Sequence, residues 1–247
     1  MQKHFKTSIV IFILMFSSSL LFSLSGGDQS LINEGMKPFN EALELLWSGQ
    51  NAGIPELLYE AENFFKEISD PQEKLYYLST IYLNRGRMNI AQDEKKSGQK
   101  NLKKSMELAE EALEYGDFSE GYRVWADAGS SYMVSKGLFT IIRTASRVQE
   151  YSDMAVKLDP GNSKAIIISA LGKINAPKSA GGDPRKAVEM FESLLDNTDI
   201  SQTETFQVYL YLSQSFDKLG EKENAEYWCT QASTIYPSNT MSIECRN

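Results

Sequence analysis

Apolar residues recur at every third or fourth position through most of the chain, which is the spacing of one face of an α-helix. The first such stripe consists of Phe39, Ala42, Leu43, Leu46 and Trp47. Glycine-containing turns and prolines that follow an acidic residue separate successive stripes, and these residues start or end helices. They include Asp70-Pro71, Asp159-Pro160 and Asp183-Pro184. The pattern predicts an all-α chain built from antiparallel helical hairpins.

The stretch from residue 209 to residue 237 has the most regular pattern. Large residues lie at the first, fourth and eighth places of its first helix, and small residues lie on its second helix. The marker positions are Tyr209, Leu212, Ser213, Phe216, Gly220, Ala225, Cys229, Ala232 and Pro237. This spacing resembles the tetratricopeptide repeat (TPR), although Cys229 holds a place usually taken by an aromatic residue. The resemblance implies a right-handed superhelix of stacked antiparallel helical hairpins, a TPR-like α-solenoid, in a single domain over residues 26–247.

Two earlier stretches keep the same register. They contain Leu75, Leu78, Ser79, Tyr82 and Gly86, and then Trp125, Ala128, Gly129 and Tyr132. After the first of them, a polar segment over 87–100 delays the partner helix, and we interpret it as a surface loop or a helix extension. After the second, the partner helix keeps its apolar spacing from Leu138 to Leu158. That helix is about two turns longer than a standard unit needs.

The first helix of each TPR unit lines the concave side of the superhelix, and the register therefore predicts which residues face inward. The inward positions that we expect to form a groove for a partner or ligand are Tyr76, Thr80, Leu83, Arg123, Ser130, Met133, Ser169, Gln207, Leu210 and Gln214. Binding energy in such surfaces concentrates in a few aromatic, arginine or apolar anchors. We expect Tyr76, Arg123, Met133 and Leu210 to be those anchors.

A second resemblance covers residues 119–195. A tryptophan-containing helix is followed by a lengthened helix that ends at Leu158-Asp159-Pro160, by Leu171-Gly172, and by a Gly-Gly-Asp turn at Gly181-Gly182-Asp183. These features look like the T-component family of TRAP transporters, which are periplasmic TPR proteins thought to partner a substrate-binding subunit. The resemblance implies a protein scaffold whose partner is a periplasmic solute-binding subunit. The alternative is a carrier that holds a small apolar ligand between the hairpins, and an oligomer is compatible with either.

The first 25 residues predict export. Lys3 and Lys6 precede an apolar run over 9–16, and the small residues Ser23 and Ser25 lie where a signal peptidase cleaves. We predict a signal peptide over 1–25 and a periplasmic or secreted product, with an uncleaved membrane anchor as the alternative. No cysteine lies near residue 26, and a bacterial lipid anchor is therefore not expected there.

The net charge argues against polyanionic partners. The chain carries a formal charge of −8, and removal of Lys3 and Lys6 with the signal would leave −10. This disfavours nucleic acid and anionic lipid headgroups as partners. The local basic cluster of Lys95, Lys96, Lys100, Lys103 and Lys104 is interpreted as a solvated helix edge.

The inventory of reactive side chains argues against catalysis. The one histidine is His4, inside the predicted signal peptide, so an imidazole base or zinc ligand is not expected in the mature chain. We therefore predict no enzyme activity, no cofactor and no metal site. The two cysteines are Cys229 and Cys245, and export makes a disulfide between them plausible. The alternative is a buried free thiol at Cys229.

Overall fold

The computed structural model describes residues 26–50, 52–178, 181–196 and 200–245. The predicted signal peptide over 1–25 lies outside the described residues. The described chain folds into eleven helices, and none of its residues is assigned to a β-strand. In chain order the helices are α1 (Gly26–Ser48), α2 (Ile54–Lys66), α3 (Pro71–Ala91), α4 (Lys95–Leu113), α5 (Ser119–Lys136), α6 (Leu138–Leu158), α7 (Ser163–Asn175), α8 (Pro184–Leu195), α9 (Gln202–Lys218), α10 (Lys222–Ile235) and α11 (Thr240–Cys245).

The helices pack as five antiparallel hairpins, from α1–α2 to α9–α10, with each hairpin stacked on the next. The predicted architecture of stacked helical hairpins is confirmed. Four apolar clusters lie along the stack and join successive helices. Small residues such as Ala109 and Ala128 lie at the crossings, because only short side chains let two helices approach closely beside Trp125. Among the described helices, none combines the length and the apolar composition that spanning a bilayer would require.

Side-chain caps start several helices where the sequence predicts them. The carboxylate of Asp70 accepts a hydrogen bond from the amide of Glu73 at 2.8 Å, and Asp183 accepts from Lys186 in the same way at 3.0 Å. In a capping box the side chain of Glu73 would bond back to the amide of Asp70, but its Oε2 is buried without a hydrogen-bond partner. The structure therefore contains the first half of a capping box and lacks the second.

Two segments differ from the simplest interpretation of the pattern. The first predicted stripe begins at Phe39, whereas α1 begins at Gly26 and already places Ile32 in the core. Of the two interpretations of the segment 87–100, the structure shows the helix extension. Helix α3 runs to Ala91, and α4 begins after only three residues at Lys95. Both hairpin helices are long here because polar side chains along this segment are tolerated on solvated helix faces.

The Gly-Gly-Asp turn needs its two glycines for different reasons. Gly181 has a positive φ of 85°, which disfavours residues with a side chain. At Gly182 the constraint is space, because a Cβ atom there would lie 1.9 Å from the carbonyl oxygen of Ala176. The turn thus lets the chain return tightly from α7, and Asp183 then caps α8.

The first and last hairpins also contact each other. The hydroxyl of Tyr236 donates to Glu44 at 2.7 Å, and the side-chain amide of Asn239 donates to the carbonyl oxygen of Trp47 at 2.8 Å. The rings of Trp47 and Phe206 lie edge to face, with centroids 6.0 Å apart. We call these five residues the end-to-end clasp. It draws the C-terminal end of α1 onto α9 and onto the segment that follows α10.

A disulfide bond holds the C-terminal helix beside the clasp. Cys229 of α10 and Cys245 at the end of α11 are joined, with Cα atoms 5.9 Å apart. The bond fixes the short helix α11 against α10. It thereby also restrains the loop that carries Asn239.

Candidate functional site

The structure divides the predicted groove residues by their accessibility. Five are buried, namely Thr80, Leu83, Arg123, Ser169 and Leu210. Four are partly buried, namely Tyr76, Ser130, Met133 and Gln207, and Gln214 is exposed. Only the second group and Gln214 can offer side-chain surface to a partner without rearrangement.

Four of the buried residues have their packing or hydrogen bonds satisfied inside the protein. Leu83 and Leu210 belong to two of the apolar clusters. Thr80 donates its hydroxyl to the carbonyl of the preceding turn, at Tyr77, at 2.7 Å. Ser169 donates to Asp153 of α6 at 2.8 Å and thus faces the neighbouring hairpin. Their hydrogen bonds and packing are already satisfied inside the protein.

Arg123 belongs to a set of polar side chains that connects α3 with α5. Its Nε donates to Glu120 at 2.6 Å, and the hydroxyl of Tyr76 donates to the same carboxylate oxygen at 3.0 Å. On its other side Arg123 lies 3.7 Å from Asp127, which also pairs with Arg87 of α3. We call these five residues the α3–α5 charge network. It brings together two of the predicted anchors, Tyr76 and Arg123, through a shared carboxylate.

Burial and charge perturb the ionisable groups of this network. Burial raises the pKa of Glu120, but the charge and hydrogen bond of Arg123 outweigh it and hold that pKa below its usual range. Burial alone would lower the pKa of Arg123, and the charges of Glu120, Tyr76 and Asp127 raise it instead. Burial, followed by the negative charge of Glu120, raises the pKa of Tyr76. Glu120 and Arg123 therefore remain charged, and Tyr76 remains neutral, across the physiological range.

The network extends to the later hairpins. The side-chain amide of Asn162, the residue that caps α7, donates to Glu120 at 2.6 Å. On α9, burial raises the pKa of Tyr211, while the charge of Arg87 lowers it and that of Asp127 raises it. The network thus reaches α7 through a hydrogen bond and α9 only through the effect of its charges on Tyr211.

Sequence reasoning missed Arg87, Glu120 and Asp127 as members of the inner surface. Arg87 continues the stripe of Thr80 and Leu83, four residues further along the same helix face, and this spacing is the available signal. The polar residues that follow Arg87 favour an insertion that begins at residue 87. That interpretation removes Arg87 from the inner face of α3. The two carboxylates lie three residues before and four residues after Arg123, and helical spacing alone could have assigned them to it.

A separate pocket of about 430 Å³ lies between the third and fourth hairpins. Its apolar lining includes Val156, Ile166, Met190 and Leu194, and Lys186 and Glu189 also line it. Within the described parts of the chain, no group of three or more His, Cys, Asp or Glu residues is arranged to hold a metal ion. The pocket therefore offers an apolar surface with polar neighbours.

Comparison with known proteins identifies the fold. No family model matches the sequence. No curated protein matches it either. The thermophilic TPR protein TTC0263 of Thermus thermophilus superimposes with a TM-score of 0.55 at 15% identity, over 86% of this chain and 95% of that one. The stack is a TPR-like α-solenoid. At this identity the likeness establishes the fold alone.

Two further solved structures align less closely. YrrB, a TPR protein with an unusual peptide-binding site, has a TM-score of 0.39 at 12% identity, over 90% of this chain and 98% of that one. Pseudomonas aeruginosa PilF has a TM-score of 0.34 at 11% identity, over 88% of this chain and 98% of that one.

Proposed function

We propose that this protein is an exported TPR scaffold that binds a protein partner through the concave side of its hairpin stack. The observation that carries the proposal is the placement of accessible polar and flexible side chains beside a rigid charge network. Ser130 and Met133 of α5, and Gln207 and Gln214 of α9, remain at least partly accessible. Gln side chains donate and accept hydrogen bonds, and Met adapts to irregular apolar surfaces. This combination suits an extended or helical segment of another protein.

The charge network contributes rigidity to this surface. The hydrogen bond from Tyr76 to Glu120 and the ion pair of Arg87 with Asp127 join α3 to α5, so α5, which carries Ser130 and Met133, is held against its neighbour before the partner arrives. A preorganised surface loses little conformational entropy on binding. Partner specificity would then come from the accessible residues, and the network would fix the position of α5 relative to α3.

The partner that we propose is a periplasmic solute-binding subunit of a TRAP-type uptake system. The support for it is the resemblance carried by the long helix α6, by Leu171-Gly172 and by the Gly-Gly-Asp turn. In this assignment the protein is an accessory to solute uptake, outside the cytoplasmic membrane. The predicted signal peptide agrees with that location.

Crosslinking in intact cells tests the proposal. A photoreactive amino acid at position 133 should yield one dominant adduct, identified by mass spectrometry as a solute-binding protein. Gln207→Ala combined with Gln214→Ala should weaken binding of that protein in a titration. Gln202→Ala is the matched control, because Gln202 is an exposed glutamine in the first turn of the same helix. Equal affinity of the double variant and the control would refute the concave site.

A second candidate function rests on the pocket between the third and fourth hairpins. We propose as the alternative that this pocket holds a small apolar ligand, since four apolar side chains line it. Native mass spectrometry of the protein purified without detergent should then show a bound small molecule. Met190→Trp would fill the pocket and abolish that mass increment, whereas Met133→Ala would leave it unchanged. An unliganded mass from freshly isolated protein would reject this function.

A further inference from the structure

The tip of the third hairpin exposes four large apolar side chains next to one another. Val134 lies in the last turn of α5, and Leu138, Phe139 and Ile142 lie in the first two turns of α6. Their exposed fractions are 70%, 70%, 87% and 69%. We call these four residues the apolar tip. Exposed apolar groups gathered in this way mark a binding surface more often than isolated ones do.

The packing of the hairpin does not account for the apolar tip. The buried residues of α6 begin only at Val148, ten residues after the helix starts. The first turns of α6 therefore extend past the part of the helix that packs deeply. Gly137, with a positive φ of 94°, is the one residue between α5 and α6, and it holds the two helix ends together at this tip.

Basic side chains surround the apolar tip. The side-chain amide of Gln99 in α4 donates to the carbonyl oxygen of Ser135 at 3.0 Å, so the first turns of α4 lie beside the end of α5. These turns carry Lys95, Lys96, Lys100, Lys103 and Lys104, and the hairpin tip itself carries Lys136 and Arg143. Among the described residues, Lys96, Lys100, Lys104 and Arg143 have no ion-pair partner.

The charge of this end differs in sign from that of the rest of the molecule. Residues 92–104 and 131–147 carry eight basic and two acidic side chains, and Glu107 and Glu110 pair with Lys103 and Arg147 of this set, which leaves a net charge of +4. The whole chain has −8, and the remaining residues therefore carry −12. The acidic total predicts that anionic lipid repels the molecule as a whole. The local positive charge around the apolar tip predicts attraction at this end.

The lysines at the start of α4 destabilise that helix. Lys95 and Lys96 lie in its first turn, where the positive end of the helix dipole repels cations. That turn has no acidic residue of its own, and the N-cap residue Glu94 makes no capping hydrogen bond. Lys95 lies 3.9 Å from Asp93, whereas Lys96 forms no ion pair with a described residue. A negatively charged surface facing the tip would relieve this repulsion and would pair with the unpaired cations.

We propose that this end of the molecule docks onto the surface of an anionic phospholipid bilayer. The apolar tip enters the boundary between the headgroups and the acyl chains, and the surrounding Lys and Arg side chains reach back to the phosphates. Both halves of the surface are needed, because the apolar side chains insert and the cations attract the leaflet. The concave side of the hairpin stack takes no part in this contact.

A fluorophore placed within the apolar tip tests the docking in the full chain. Cys229 and Cys245 are joined and do not react, so Val134→Cys provides a single site for an environment-sensitive label. Tyr227→Cys on α10 is the matched control, because Tyr227 is also exposed, at 56%, but lies outside the tip. Each labelled protein is titrated with vesicles of phosphatidylcholine alone and of phosphatidylcholine with phosphatidylglycerol. The label reports only the surroundings of position 134. Insertion of the N-terminal apolar run into the vesicles would therefore not by itself shift its emission.

The expected result is a blue shift of the label at position 134 with phosphatidylglycerol vesicles, and none at position 227. Lys96→Gln combined with Lys100→Gln should raise the lipid concentration at half-maximal shift about thirtyfold. Phe139→Ser combined with Ile142→Ser should abolish the shift while the helical circular dichroism is unchanged. A label at position 134 that stays in a watery environment on anionic vesicles would overturn the proposal. A shift that follows protein concentration and needs no vesicles would assign the surface to a second copy of the chain, and would overturn it equally.

Discussion

Replacing Arg123 should lower the free energy of unfolding. We expect this loss to exceed any direct loss of affinity for a partner. The register alone suggests an anchor whose loss weakens binding by more than about 1 kcal/mol with little change in folding. In the structure the side chain of Arg123 is only 7% exposed, and it pairs with Glu120 and Asp127. Truncation would leave two acidic groups near the interior without this cation. We therefore expect a folding defect first, and a binding defect only as its consequence.

The size of the defect follows from the environment of the two acids. Removing one partner of a buried ion pair typically costs about 3–5 kcal/mol. Two features place Arg123→Ala near the lower limit. The side chain of Glu120 is 32% exposed and can be partly hydrated, and Asp127 keeps its ion pair with Arg87. We expect about 3 kcal/mol from the charge in Arg123→Met, with a further loss of packing in Arg123→Ala.

Urea unfolding followed by circular dichroism measures this effect, and its pH dependence identifies the cause. In the wild type the pKa of Glu120 is lowered despite its burial. Its contribution to stability is therefore fully present above about pH 4.3 and is lost as the pH falls through the lower folded-state pKa. In Arg123→Met, burial without the cation should raise that pKa, so the variant recovers stability as Glu120 takes up a proton. The difference between the two proteins should thus shrink in acid. A loss below about 1 kcal/mol at pH 7, or a difference that grows in acid, would refute the reasoning.

Further predictions concern the last hairpin, the clasp and export. Replacing both Cys229 and Cys245 by serine should lower stability by about 3 kcal/mol in the chain-entropy model, and reduction of the wild type should give an equal loss in a thermal melt. Ala232→Leu should cost about 1–3 kcal/mol, because Ala232 is fully buried, and an unchanged melting temperature would contradict the assigned helix crossing. Tyr236→Phe should cost about 1–2 kcal/mol, since it removes the hydrogen bond to Glu44, and Glu44→Gln should cost less because it keeps an acceptor. Terminal sequencing of the protein from cells should begin after residue 25, and an intact Met1 would contradict the predicted cleavage.

Sequence patterns predicted the local parts of this structure well. The hairpins, the cap at Asp70, the turn before Pro184 and the long helix α6 each depend on residues within one or two helical turns. Helical periodicity and capping chemistry act over that range, and they can be read from one stretch at a time. The pattern does not locate the boundary between α3 and α4, because polar residues fit both a loop and a solvated helix.

The burial of the predicted groove could not be read in the same way. The inward stripe of α5 contains Arg123 and Ser130, and periodicity assigns both to the concave side without distinguishing their exposure. Arg123 is buried because Glu120 and Asp127 lie one turn away on the same helix, and because Arg87 of the neighbouring hairpin reaches the same group of acids. The depth of a polar side chain thus depends on which charges the adjacent hairpin supplies.

Contact between the two ends of the stack has the longest range and the weakest sequence signal. The hydrogen bond from Tyr236 to Glu44 joins residues 192 positions apart, and neither residue type distinguishes it from an ordinary surface pair. An open solenoid adds concave surface with each hairpin, whereas a chain whose last hairpin returns to α1 confines the first helices around its interior. The burial of Leu83, Arg123 and Ser169 comes from their own and adjacent hairpins, and the clasp can restrict only the access to the accessible residues of the groove. If the clasp opens, by loss of the hydrogen bonds of Tyr236 and Asn239, the concave side should gain access for a partner while each hairpin keeps its own core. Partner affinity that rises in Tyr236→Phe, despite a lower melting temperature, would therefore be the signature of binding on the concave side.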